Sequence, residues 1–78
     1  MDDTFPRLVA LFRRVFEDDA LVISAATTAA DLRAWDSVMH ITLLMECEDA
    51  FGIEFPPGDV AGLKNVGALV AVIDRLRR

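Results

Sequence analysis

Few side chains in this sequence could do chemistry, and the most suggestive stand together. Ser37 follows Asp36 at the head of the most regular amphipathic stretch, and His40, the single histidine, comes three residues later. At that spacing a serine and a histidine share one helix face. A catalytic serine also needs a base that is itself oriented, together with an oxyanion hole. No glycine-rich elbow surrounds Ser37, so hydrolysis is not expected and no catalytic residue is assigned. Two readings of Asp36-Ser37 remain open: a plain helix cap, or a hydroxyl that holds a prosthetic group. His40 is read as a surface residue or a partner contact. Cys47, the single cysteine, reads as a small core hydrophobe. No Cys, His or carboxylate cluster has metal-ligand spacing, so no metal is expected.

The elements that must position these groups read as helices. Phe5, Leu8, Leu11/Phe12 and Val15/Phe16 recur at helical spacing, with Thr4 as N-cap and Pro6 in the first turn. A long connection follows, from Asp18 to Asp36, with Leu21-Val22-Ile23 expected to tuck against the core and residues 24–28 to be irregular. A connection of this length in a small domain is often functional. The second helix should run from Ser37 to Phe51 and stop at Gly52. A breaker-rich turn, Ile53 to Gly58, precedes one short helical turn over Asp59 to Leu63, with Asp59 as cap. Asn65 should cap a last helix carrying the stripe Val66, Leu69/Val70, Ile73 and Leu76. Gly67 costs that helix about 1 kcal/mol relative to alanine. The fold class is all-α: three main helices, one short helix, and a long loop between the first two main ones.

The second helix has more apolar surface than one core requires. Leu43, Leu44, Cys47 and Phe51 form one stripe, while Val38, Ile41 and Met45 form another. A small bundle buries one stripe of about 100°. The first stripe is assigned to the core, where Phe51→Ala should cost roughly 3–5 kcal/mol. The second is read as a partly exposed docking patch beside Ser37, with burial under the long loop as the alternative.

Composition narrows the function classes. The chain has 78 residues and reads as one domain, 1–78, with 54% hydrophobic and only 8% aromatic residues. A net charge of −5 argues against nucleic acid and favours partners with basic surfaces. Arg75, Arg77 and Arg78 sit at the C-terminus, where cations meet the negative end of a helix dipole. The acidic start is unlike a secretory signal, and the Val66 to Ile73 stretch is too short to span a bilayer. A cytoplasmic monomer without membrane attachment is expected.

The whole chain resembles the acyl carrier proteins. The likeness is most specific in Leu32-Arg33-Ala34-Trp35-Asp36-Ser37-Val38-Met39-His40-Ile41 and in Glu46-Cys47-Glu48-Asp49-Ala50-Phe51-Gly52-Ile53. The resemblance implies a covalent 4′-phosphopantetheine on Ser37, installed from coenzyme A by a phosphopantetheinyl transferase. Asp36 would support that transfer. The arm would carry acyl groups as thioesters between acyl-loading and acyl-processing enzymes, and the domain itself would not be an enzyme. Partner contacts would fall on Val38, Met39, Ile41, Met45, Glu46, Glu48 and Asp49. Carriers of primary fatty acid synthesis have acids where this chain has Met39, Thr42, Pro57, Gly58 and Ala61. Trp35-Asp36-Ser37 with His40 looks most like freestanding carriers of polyketide or other specialised pathways. Trp35 also reads as a hydrophobic staple over the helix start. The alternative is a module of the same fold that binds a partner and is never phosphopantetheinylated.

Overall fold

The computed structural model describes residues 3–60, 63 and 65–77. Among them lie four α-helices: α1 (Thr4–Val15), α2 (Ser37–Phe51), α3 (Pro57–Val60) and α4 (Val66–Arg77). A single 3₁₀ turn, Ala29–Asp31, interrupts the long connection. The all-α expectation holds, with α2 bounded as its pattern indicates.

Helix α1 forms because Leu8, Leu11 and Phe12 bury one face against both α2 and α4. Thr4 is not its cap. It is the first helical residue and fully buried, while Asp3 stands at the cap position without a side-chain cap bond. The Thr4 hydroxyl donates to the Asp74 carboxylate and accepts from Arg77 Nη1 at 3.0 Å. This pairing stitches the first turn of α1 to the last turns of α4. The helix ends with Glu17 in the left-handed region, φ 53°. The Glu17 and Asp18 amides donate to the carbonyls of Arg14 and Arg13, which satisfies two terminal acceptors.

The long connection is stapled down at several points. Ile23 is buried, and Trp35 packs edge-to-face on Phe12 at 5.3 Å between centroids. Val22 departs from expectation and is 80% exposed. Alternation along the chain puts Leu21 and Ile23 on the inner side, half-buried and buried, and turns Val22 outward. The loop also closes the start of α4. Val66 and Gly67 donate their amides to Thr27 and Ala25 carbonyls at 2.9 and 2.8 Å, and Asn65 Oδ1 accepts from the Ala68 amide at 2.7 Å. These bonds satisfy helix-start donors that have no intrahelical partner. They also explain Gly67, because a Cβ there would lie 2.9 Å from the Ala25 carbonyl oxygen.

The short helix begins at Pro57 rather than Asp59, with the Asp59 amide donating to Pro56 O at 2.9 Å. Proline suits a first turn because its missing N–H would have no intrahelical acceptor. Asp59 instead pairs with Arg75 of α4. Residues 61, 62 and 64 lie outside the described set, as does Arg78. Arg75 and Arg77 do more than meet a dipole, since Arg77 Nη1 also reaches Asp3 Oδ1 at 2.7 Å. The buried core draws on each main helix and includes Phe55 and Leu63 from the segment before α4.

Candidate functional site

The start of α2 is built from the backbone outward. Asp36 takes an extended conformation, and its Oδ1 accepts from the Met39 amide at 2.8 Å. Its carbonyl accepts from the His40 amide at 2.8 Å. The aspartate is therefore the cap, leaving the next side chain free. Ser37 is exposed, and its hydroxyl makes no hydrogen bond to any described residue. At the far end Gly52, φ 64°, closes the helix in the left-handed region.

Trp35 and His40 form the wall beside Ser37. The indole Nε1–H donates to His40 Nδ1 at 2.9 Å, and the two rings stack at 5.9 Å between centroids. Trp35 is buried and His40 half-buried, so His40 has a structural contact that the surface-or-partner reading did not include. The physical reason is that a buried indole needs an acceptor for its N–H, and the first turn of α2 brings the imidazole to it. Burial holds the His40 pKa below its ordinary value of 6.5. No Ser37–His40 hydrogen bond exists to support a nucleophile-base pair, and Nδ1 is already occupied. Together Thr28, Ala29, Ala30, Trp35, Asp36, Ser37, His40 and Leu63 line an open cleft of about 610 Å³. Thr28, the 3₁₀ turn and Leu63 were not singled out from sequence. The readable signal was the buried-type tryptophan five residues before the one histidine.

The apolar residues of α2 divide as expected, with one exception. Leu43, Leu44 and Cys47 are buried. Phe51 is only half-buried, with the guanidinium groups of Arg7 and Arg77 over its ring at 4.5 and 5.3 Å. It lies in the last turn, where α2 leaves the core and cations reach across from both ends of the chain. Val38, Ile41 and Met45 are 75%, 62% and 63% exposed, so the long loop does not cover them. Met39 is half-buried. The acidic residues are unequal. Glu46 pairs with Arg14 at 2.7 Å, and Glu48 Oε2 accepts from the Phe55 amide at 2.9 Å, pinning the turn after the helix. Asp49 is exposed. The Cys47 thiol is pushed up to about 12, by burial first and then by the Glu46 and Glu48 charges.

Comparison with known proteins gives this geometry a context. Residues 6–73 match the family model described as the phosphopantetheine attachment site. The fold superposes on the holo acyl carrier protein of Geobacter metallireducens with a TM-score of 0.89 and 39% identity, covering 96% of this chain and 86% of that one. Over 41 residues, 53% of the chain, it is 39% identical to an acyl carrier protein of Rhodococcus erythropolis, covering 45% of that protein. The same identity and span relate it to the meromycolate extension acyl carrier protein of Mycolicibacterium aurum, of which 42% is covered. The matched part is thus less than half the length of these curated relatives. A family match over most of the chain and a superposition over nearly all of it agree: the chain belongs to the acyl carrier protein family, whose prosthetic group is covalent 4′-phosphopantetheine.

Proposed function

We propose that this chain is an acyl carrier whose Ser37 hydroxyl holds the 4′-phosphopantetheine arm. The observation that carries this reading is the division of labour at the start of α2. Asp36 takes the capping bond, and Ser37 is left exposed and unbonded beside an open cleft. The residues fit the group. A phosphodiester at this helix terminus meets the positive end of the macrodipole, worth about 0.3–1 kcal/mol when exposed, and the cleft gives a flexible arm room to leave the surface. When bound, the group supplies a thiol that holds acyl units as thioesters. The chain's own residues present that arm and dock partners, and they perform no catalysis.

Asp36 supports transfer by a phosphopantetheinyl transferase. Acyl-loading and acyl-processing enzymes dock on Val38, Met39, Ile41 and Met45, with Asp49 and the partly engaged Glu46 and Glu48 as an acidic rim. An exposed apolar patch with charge at its edge is the usual form of such a surface. Specialised acyl assembly, of the polyketide type, is supported by Trp35-Asp36-Ser37 and by Met39 and Thr42 in the first turns of α2. Lipid chain extension of the kind named for the mycobacterial relatives is the second reading, favoured by the 39% identity over 41 residues.

Incubation with coenzyme A and a promiscuous phosphopantetheinyl transferase should add the mass of one phosphopantetheine, and Ser37→Ala should abolish that gain. A wild-type chain that gains no mass with an active transferase removes the carrier reading and leaves the unmodified interaction module. Cys47 offers a second readout. A buried thiol with its pKa near 12 should stay silent to a thiol reagent in the folded protein. The unmodified chain should then release no colour with Ellman's reagent and the modified chain one equivalent.

A further inference from the structure

The Trp35–His40 pair fixes a proton. An indole N–H is a donor only, so the nitrogen that accepts from it must be bare. Nδ1 of His40 accepts at 2.9 Å, and the neutral imidazole therefore keeps its proton on Nε2. That atom bonds to no described residue and is not buried without a partner, so Nε2–H faces solvent. His40 also lines the cleft that opens at Ser37.

Every other side-chain donor among the described lining residues is committed. The Thr28 hydroxyl donates to Asp31 Oδ2 at 3.3 Å, and the Trp35 N–H is spent on His40. The Ser37 hydroxyl would become the ester oxygen. The Met39 amide is held by Asp36 and the His40 amide by the Asp36 carbonyl. Among the described lining residues there is no lysine or arginine. Among the described residues of the cleft, a phosphodiester on Ser37 would thus meet one uncommitted side-chain donor, three residues along the same helix. Side chains at that spacing have Cβ atoms about 5–6 Å apart, within reach of an imidazole and a phosphate.

Building on Ser37 as the attachment point, we infer that His40 is a positioning residue for the arm: held as the Nε2–H tautomer by Trp35, it donates a hydrogen bond to a phosphodiester oxygen. A hydrogen bond to an anionic oxygen is of the stronger class. It would restrain the first link of an otherwise free arm on the cleft side of α2.

The test compares the unmodified and modified forms of ¹⁵N-histidine-labelled protein by long-range ¹H–¹⁵N correlation at neutral pH. The unmodified form should show Nε2 protonated and Nδ1 bare. Modification should move the Nε2 proton downfield and slow its exchange with water by about tenfold or more, the scale of a charge-assisted hydrogen bond. Trp35→Phe should leave His40 with mixed tautomers and reduce that response, whereas a merely structural role for His40 predicts no response to modification at all. A protonated Nδ1 in the unmodified protein overturns the inference. So does an unmoved Nε2 signal in protein whose mass shows the added group. If no mass is gained, Ser37 attachment fails first and the inference with it, so the two failures are distinguished.

Discussion

The two apolar faces of α2 are built from similar residues and meet opposite fates. Leu43, Leu44 and Cys47 are buried between α1 and the rest of the core, while Val38, Ile41 and Met45 face outward at 62–75% exposure. Hydropathy does not separate them. What does is where α1, α4 and the long loop lie. The loop leaves the outer face uncovered, because its bonds to α4 through Ala25 and Thr27 and its Trp35 contact with Phe12 hold it against α4 and α1. This exposed apolar face is the surface proposed above for partner docking.

The sharpest way to break this contrast is to truncate the inner face. Leu43→Ala should cost about 2–5 kcal/mol, read from the urea midpoint, because a fully buried leucine leaves a cavity. A cost below 1 kcal/mol would place Leu43 outside the core and dissolve the distinction. Phe51→Ala tests the boundary between the faces. Its ring is half-buried beneath two arginines, so the loss should be about 1–3 kcal/mol, below the range for a buried phenylalanine. A loss of the full buried size would return Phe51 to the inner stripe.

A smaller effect concerns the end of α2 that both faces share. His40 binds a proton less readily when folded than its ordinary value of 6.5 allows, because of burial, and a proton on Nδ1 would also break the Trp35 bond. The unfolded chain therefore binds more protons in the window just below 6.5. Stability should be full above that pH and decline as pH falls through 6.5 toward the folded pKa. Urea midpoints measured across this window should lose the step in His40→Gln, and a step unchanged in that variant would assign it to other groups.

The smallest effect on stability should come from the outer face. Met45→Glu should change the unfolding free energy by less than about 0.5 kcal/mol, as surface substitutions do, and leave helicity intact. Transfer to or from a cognate partner enzyme should nevertheless fall. Unimpaired transfer would detach the outer face from docking, and unfolding would move it into the core.

Much of this molecule was legible in advance, for reasons that differ by residue. Gly52 ends α2 because it takes positive φ, and Asn65 caps α4 because its short amide reaches the Ala68 amide. These are local effects that depend on a few neighbouring residues. Thr4 misled for the converse reason. As a hydroxyl beside a helix start it resembled a cap, yet its partners are Asp74 and Arg77, some seventy residues away. Glu48 likewise has a partner that the helix pattern did not show, the Phe55 amide in the turn after α2.

The sequence alone determined the three main helices, both ends of α2, the cap of α4, the Asp36-Ser37 pair at the head of α2 and the membership in a carrier family, because periodicity, caps and motifs act over a few residues. Only the tertiary structure decided which face of α2 is left bare, that the long loop seals the start of α4, and that Trp35 turns His40 into a donor of fixed tautomer beside Ser37. Those outcomes depend on contacts between segments distant along the chain, where packing and the pairing of buried polar groups select one arrangement from several that the local pattern permits.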